Sequence, residues 1–122
     1  MIDHFNLPVL DLALSRKFYE HVLTPLGYQF FAEDGSAIGF GRDSWEFGIV
    51  AVSAPTHRLH LAFRARSRHA VDAFFAAALA AGGTSNGPPG VRHEYDPQYY
   101  AAFVLDPDGH NIEAVFRGER AV

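Results

Sequence analysis

The 122-residue chain contains no cysteine, which excludes disulfides, thiolate metal sites and a cysteine nucleophile. It also lacks any apolar run near the ~20 residues that a bilayer-spanning helix needs. Positive charge is scarce. Ten Lys and Arg against fourteen Asp and Glu give a formal net charge of -4, a poor balance for binding nucleic acid or an anionic membrane. The opening MIDHFNLPV has no basic stretch leading into an apolar one, so no secretory leader is read there and a cytoplasmic setting is expected. What remains is a globular composition, 48% hydrophobic and 20% charged, in a length suited to one domain with a real core.

An internal repeat organises that domain. Shifting the chain by 56 residues places His4 on His60, Leu7 on Phe63, Asp11 on Ser67, Phe18-Tyr19 on Phe74-Phe75 and Gly27 on Gly83. Each half then reads as a strand with a histidine, a capped helix with an aromatic pair, and a glycine stop. Asp11 and Ser67 are good N-caps, because a side-chain oxygen can satisfy an orphan helix N–H. Val71, Phe74, Phe75, Ala78 and Leu79 form one apolar helical face, and Leu14, Phe18 and Val22 form another with Tyr19 alongside. Strands are expected around 28–33, 36–41, 45–52, 98–105 and 110–117, with the Gly/Pro/Asn-rich stretch 84–97 as a loop. The fold expected is α+β, a single domain over 1–122 with module one at about 1–57 and module two at about 58–122.

Alternation along the strands separates a core face from an open one. Phe5, Leu7 and Val9 should pack under a helix, leaving His4 and Asn6 opposite; Leu59, Leu61 and Phe63 should pack likewise, leaving His60, Ala62 and Arg64 opposite. In the last strand Glu113 stands opposite Ile112 and Ala114. Two imidazoles and a carboxylate on open faces make a facial set for a divalent metal with free coordination positions. His21 and His69 on helices, His57 and His93 in loops, and His110 beside a turn read as exposed. The turn Asp106-Pro107-Asp108-Gly109 joins the last two strands. If the loop takes five residues, Phe103 lies across from Glu113 on the same face, with Tyr99 and Ala101. The run RARSRH (64–69) reads as a solvated turn, with an anion or partner contact as the alternative.

The repeat, the opening IDHFNLPVLDLALSRKFYEHVLTPLGY, the strand LHLAFRA and the ending YYAAFVLDPDGHNIEAV resemble the vicinal oxygen chelate superfamily, the glyoxalase, bleomycin-resistance and dioxygenase relatives. The resemblance implies two βαβββ modules forming curved mixed sheets that cup a metal. It implies His4, His60 and Glu113 as ligands of a divalent ion such as Zn, Ni, Mn or Fe. It further implies a small-molecule substrate with oxygen donors and a homodimer with sites shared at the subunit interface. Glyoxalase I relatives add a glutamate on the last strand of module one, where this chain offers only Glu46. Phe47 and Ile49 are expected to line the cup with Tyr95, Tyr99 and Phe103 as substrate-binding residues, Trp45 capping it or closing a turn. Glu113 and Tyr95 are the candidate catalytic groups. A metalloenzyme and a metal-free protein that sequesters an aromatic ligand both remain open, as does a dimeric module with no ligand.

Overall fold

A computed structural model describes residues 1–118. The chain runs β1 (Phe5–Val9), α1 (Leu12–Leu23), a 3-10 turn (Thr24–Leu26), β2 (Gln29–Asp34), β3 (Ala37–Gly41) and β4 (Phe47–Ala51). It continues with β5 (His60–Arg64), α2 (Arg68–Ala80), β6 (Thr84–Val91), β7 (Tyr100–Leu105) and β8 (Asn111–Phe116). Two four-stranded sheets result, ordered β1-β4-β3-β2 and β5-β8-β7-β6. In each, the first strand runs parallel to the last and the other pairings are antiparallel. The architecture is α+β, a βαβββ unit written twice.

Both helices begin where their caps stand. Asp11 accepts the Leu14 N–H at 3.0 Å and Ser67 accepts the Ala70 N–H at 3.0 Å, each satisfying a donor the first turn cannot. Gly27 closes the 3-10 turn at φ +89, a left-handed backbone that only glycine adopts without strain. The buried face of α1 is Ser15, Phe18, Tyr19, Val22 and Leu23, so Leu14 stays half exposed at 50%, one position off the expected stripe. On α2 the buried residues are Val71, Phe74 and Ala78, and Leu79 turns outward.

The expected loop 84–97 is largely a strand. β6 pairs with β7 through register shifts at Ser85/Gly87 and Gly87/Gly90. Its two prolines are tolerated because the strand lies at the sheet edge, where a missing N–H breaks no inner ladder. Glycine and proline there mark bulges rather than the absence of a strand.

One core joins the two halves. Phe47 packs edge-on to Phe63 at 5.1 Å and against Tyr19 at 5.1 Å, linking β4, β5 and α1. Phe47 and Ile49 are therefore core residues, 2% and 0% exposed, and they do not line a cup. β4 follows the turn with Phe47 and Ile49 on the helix side and Gly48 on the open side.

The turn between β7 and β8 staples the second module to the first. Tyr19 donates to Asp106 Oδ2 at 2.5 Å, and the Asp108 and His110 N–H groups donate to Asp106 Oδ1. The Leu10 N–H donates to Asp108 Oδ1 at 2.9 Å. His110 is buried rather than exposed. Its Nδ1 accepts the Leu59 N–H and its Nε2 donates to the Pro8 carbonyl, both at 3.0 Å. A backbone N–H can only donate and a carbonyl can only accept, so Nδ1 presents its lone pair and Nε2 carries the hydrogen. Burial pushes the Asp106 carboxyl above its ordinary range against the pull of the Tyr19 and backbone donors. Burial, reinforced by Asp106, also raises the Tyr19 phenol well above its ordinary 10.0.

Candidate metal centre on the second sheet

β5 and β8 run parallel with Ala62 opposite Glu113 and His60 opposite Asn111. That register places His60 diagonally beside Glu113 on the open face, with Nε2 to Oε1 at 3.0 Å. Glu113 is 2% exposed. A carboxylate this buried needs strong partners, and it has two, His60 and the Tyr99 hydroxyl, which donates to Oε2. Burial, and then Glu113 itself, pushes the Tyr99 phenol up to about 12. Tyr99 is thus a fixed hydrogen-bond donor at neutral pH.

The histidine is oriented from behind. Its Nδ1 lies 3.0 Å from the Asn111 carbonyl, which can only accept, so Nδ1 carries a hydrogen. In a neutral ring Nε2 then holds a lone pair aimed at a carboxylate oxygen. Two acceptors at this distance call for a second proton on the ring or a cation between them. Atoms bound at right angles to one cation at about 2.0–2.2 Å stand about 3 Å apart, so the pair suits two adjacent coordination positions. The Nδ1–H to carbonyl contact is the orientation that metal-ligating histidines ordinarily have.

Phe103 sits opposite Glu113 in the β7–β8 register, as the five-residue loop requires, and stacks on the His60 ring with centroids 6.2 Å apart. Tyr99, Ala101 and Val115 form a small apolar cluster with Phe103 on this face. Tyr95 packs edge-on to Tyr99 at 5.0 Å. It is 64% exposed and stands at the rim, hydrogen-bonded to neither His60 nor Glu113. Sequence reasoning missed Arg92, which lies over Phe103 at 5.3 Å and donates to the Gly90 and Pro88 carbonyls. The glycines and prolines around it give its segment the pattern of a loop. Asn111 Oδ1 is buried without a partner among the described residues.

His4 lies elsewhere. It is exposed, with Nδ1 2.7 Å from Asp3, and opens on a cavity of about 470 Å³ with Asn6 and Trp45. Among the described residues no three His, Asp or Glu side chains are grouped so as to hold a metal ion. One chain therefore brings His60 to Glu113 and leaves His4 on the other sheet.

A profile of the Glyoxalase/Bleomycin resistance protein/Dioxygenase superfamily matches residues 1–114. The chain belongs to that superfamily. A glyoxalase/bleomycin resistance protein from Albidiferax ferrireducens T118 shares 35% identity over 96% of this chain and 99% of its own, with a TM-score of 0.86. The Bacillus subtilis (strain 168) protein YqjT is 32% identical, over 93% of this chain and 97% of its own length. Oxidase ChaP-H2, 21% identical with a TM-score of 0.72 over 99% of this chain and 96% of its own, shares the fold.

Within this glyoxalase-superfamily chain the first module offers no matching carboxylate. His4 and His60 are repeat mates, so Asn6 corresponds to Ala62. Asn6 pairs with Gly48 where Ala62 pairs with Glu113, which makes Gly48 the counterpart of Glu113. Glu46 lies in the β3–β4 turn, where it accepts the Arg42 N–H at 2.9 Å. Among the described residues no helix is long and apolar enough to cross a membrane.

Proposed function

We propose that this member of the superfamily is a glyoxalase-like metalloenzyme that binds a small molecule through vicinal oxygens. A divalent ion is held by His60 and Glu113 of one protomer and His4 of a second copy. The observation that carries the reading is the buried Glu113 facing His60 Nε2 at 3.0 Å. The bond from His60 Nδ1 to the Asn111 carbonyl leaves Nε2 free to ligate. When bound, such an ion supplies Lewis-acid polarisation of substrate oxygens. The chain's own residues do the rest. Tyr99 holds one Glu113 oxygen and fixes the carboxylate, leaving the other toward His60. Phe103 and Tyr99 wall the open face, and Tyr95 extends that wall at the rim, where it can exchange a proton or hydrogen bond with substrate. The aromatic lining favours an aryl-bearing ligand. A cytoplasmic homodimer completes the reading.

The test is metal content after purification without chelator, with sedimentation run alongside. Wild type should hold about one equivalent of divalent ion per protomer and sediment as a dimer. His60→Ala and Glu113→Gln should lose the metal while keeping the wild-type circular dichroism spectrum. Metal retained in both variants would sink the ligand assignment. The sequestration reading makes a different forecast. An aromatic hydroxamate would then raise the melting temperature equally with and without metal, whereas the metalloenzyme needs the ion for most of the shift.

A further inference from the structure

Four of the chain's ten basic residues line one cavity of about 310 Å³: Arg42, Arg64, Arg66 and Arg117, with Phe116 and Ala65 between them. They arrive from three separate segments, the β3–β4 turn, the end of β5 and the residue after β8. This convergence is notable in a protein of net charge -4. Basic residues on such a surface would ordinarily sit beside the more numerous acidic ones, since like charges gathered together repel.

Among the described residues their partners are few. Arg42 has Glu46 at 3.8 Å and lies over Tyr28. Arg117 lies over the Tyr99 ring at 4.8 Å. Arg66 lies against Gly27, at whose Cβ position its guanidinium would be met at 3.7 Å. Among the described residues, Arg64, Arg66 and Arg117 enter no salt bridge and donate no hydrogen bond to protein. Each guanidinium presents five donors in a planar fork that matches the oxygens of a phosphoryl group.

The geometry points to an anion-binding site at this end of the sheet that takes a phosphoryl-type oxyanion carrying two negative charges. Arg64 and Arg117 share the open face with His60 and Glu113, four residues further along β5 and β8, or about 13 Å of strand. Neither His60 nor Glu113 lines this cavity, although Arg117 reaches back over the Tyr99 ring, so the site stands whether or not a metal binds. Monoanions such as acetate engage fewer guanidiniums and leave more of the repulsion in place, so they bind more weakly.

The experiment is calorimetric titration of the full chain with inorganic phosphate in excess chelator, at low and at physiological salt, with acetate as the control anion. The expected result is saturable one-to-one binding of phosphate, weakening as salt rises and at least about tenfold tighter than acetate. Arg64→Ala combined with Arg117→Ala should weaken it by at least roughly tenfold, from the loss of charge-assisted hydrogen bonds. His60→Ala should leave it unchanged. Both arginines are exposed, so the double variant should fold, which its melting temperature checks. Non-saturable heats, affinity unaltered in the double variant, or binding lost in His60→Ala would each overturn the proposal.

Discussion

On the open face of the second sheet Glu113 lies between His60 and Tyr99, with Phe103 stacked on the histidine. The matching positions of the first sheet are Gly48 for Glu113 and Gly39 for Phe103, since Gly39 pairs with Gly48 as Phe103 pairs with Glu113. A Cβ at either glycine would overlap the Trp45 ring, which covers both and donates to Asn6 Oδ1 at 2.8 Å. The core faces tell the opposite story. Leu7 and Phe63, Ile49 and Ala114 all remain apolar and packed. The repeat has kept what the shared core demands and let the open faces diverge. One module holds a carboxylate and a histidine in contact, the other a histidine beside an aromatic roof.

The largest effect should come from the two turns that precede β4 and β8. Asp106 is buried and satisfies Tyr19 and two backbone N–H groups, whereas Glu46 is partly exposed and satisfies one. Asp106→Ala strands three donors and should cost at least about 3 kcal/mol in urea unfolding. Glu46→Ala should cost under about 1 kcal/mol, close to a surface pair. Equal losses would erase the asymmetry between the turns.

A smaller effect tests the roof over the first sheet. Gly48→Ala forces overlap with Trp45 and Asn6 and should destabilise by about 1–3 kcal/mol. In a Trp45→Ala background the same change should cost much less. Additive losses in the double-mutant cycle would mean that Trp45 does not press on the sheet.

The smallest effect is a pH dependence. The folded state holds Tyr19 as a neutral phenol above its ordinary 10.0. Its contribution to stability is therefore complete below pH 10 and lost as pH rises above it. Tyr19→Phe should cost about 1–2 kcal/mol at neutral pH, because Asp106 Oδ2 loses its donor, yet flatten the alkaline limb of the stability curve. A limb as steep as wild type would assign alkaline loss to other groups, Tyr99 among them.

Local chemistry explains what the sequence shows and what it conceals. The caps at Asp11 and Ser67 are legible because capping depends on residues three apart. Phe103 facing Glu113 is legible because a tight loop fixes hairpin register. β6 is hidden because edge strands admit proline and glycine, which also signal loops. The expectation that Phe47 lines the cup fails because the turn before β4 sets which residue faces the helices, and Phe47 packs on Phe63 in the core. The burial of His110 follows from a contact with Pro8, 102 positions away, which no local pattern carries. That His60 and Glu113 share the open face is legible from alternation along β5 and β8, whereas the first module, with Gly48 at the matching position, puts no carboxylate beside His4.

A shared metal site is tested most directly by mixing two broken protomers. His4→Ala and Glu113→Gln chains, each carrying a different tag, are co-expressed and purified through both tags, and the metal in the heterodimer is counted. Each variant alone should hold none. The heterodimer should regain one ion, because the intact His60 and Glu113 of the His4→Ala chain meet the intact His4 of its partner. A heterodimer that holds no metal while wild type under the same conditions holds one ion per protomer would contradict the shared site.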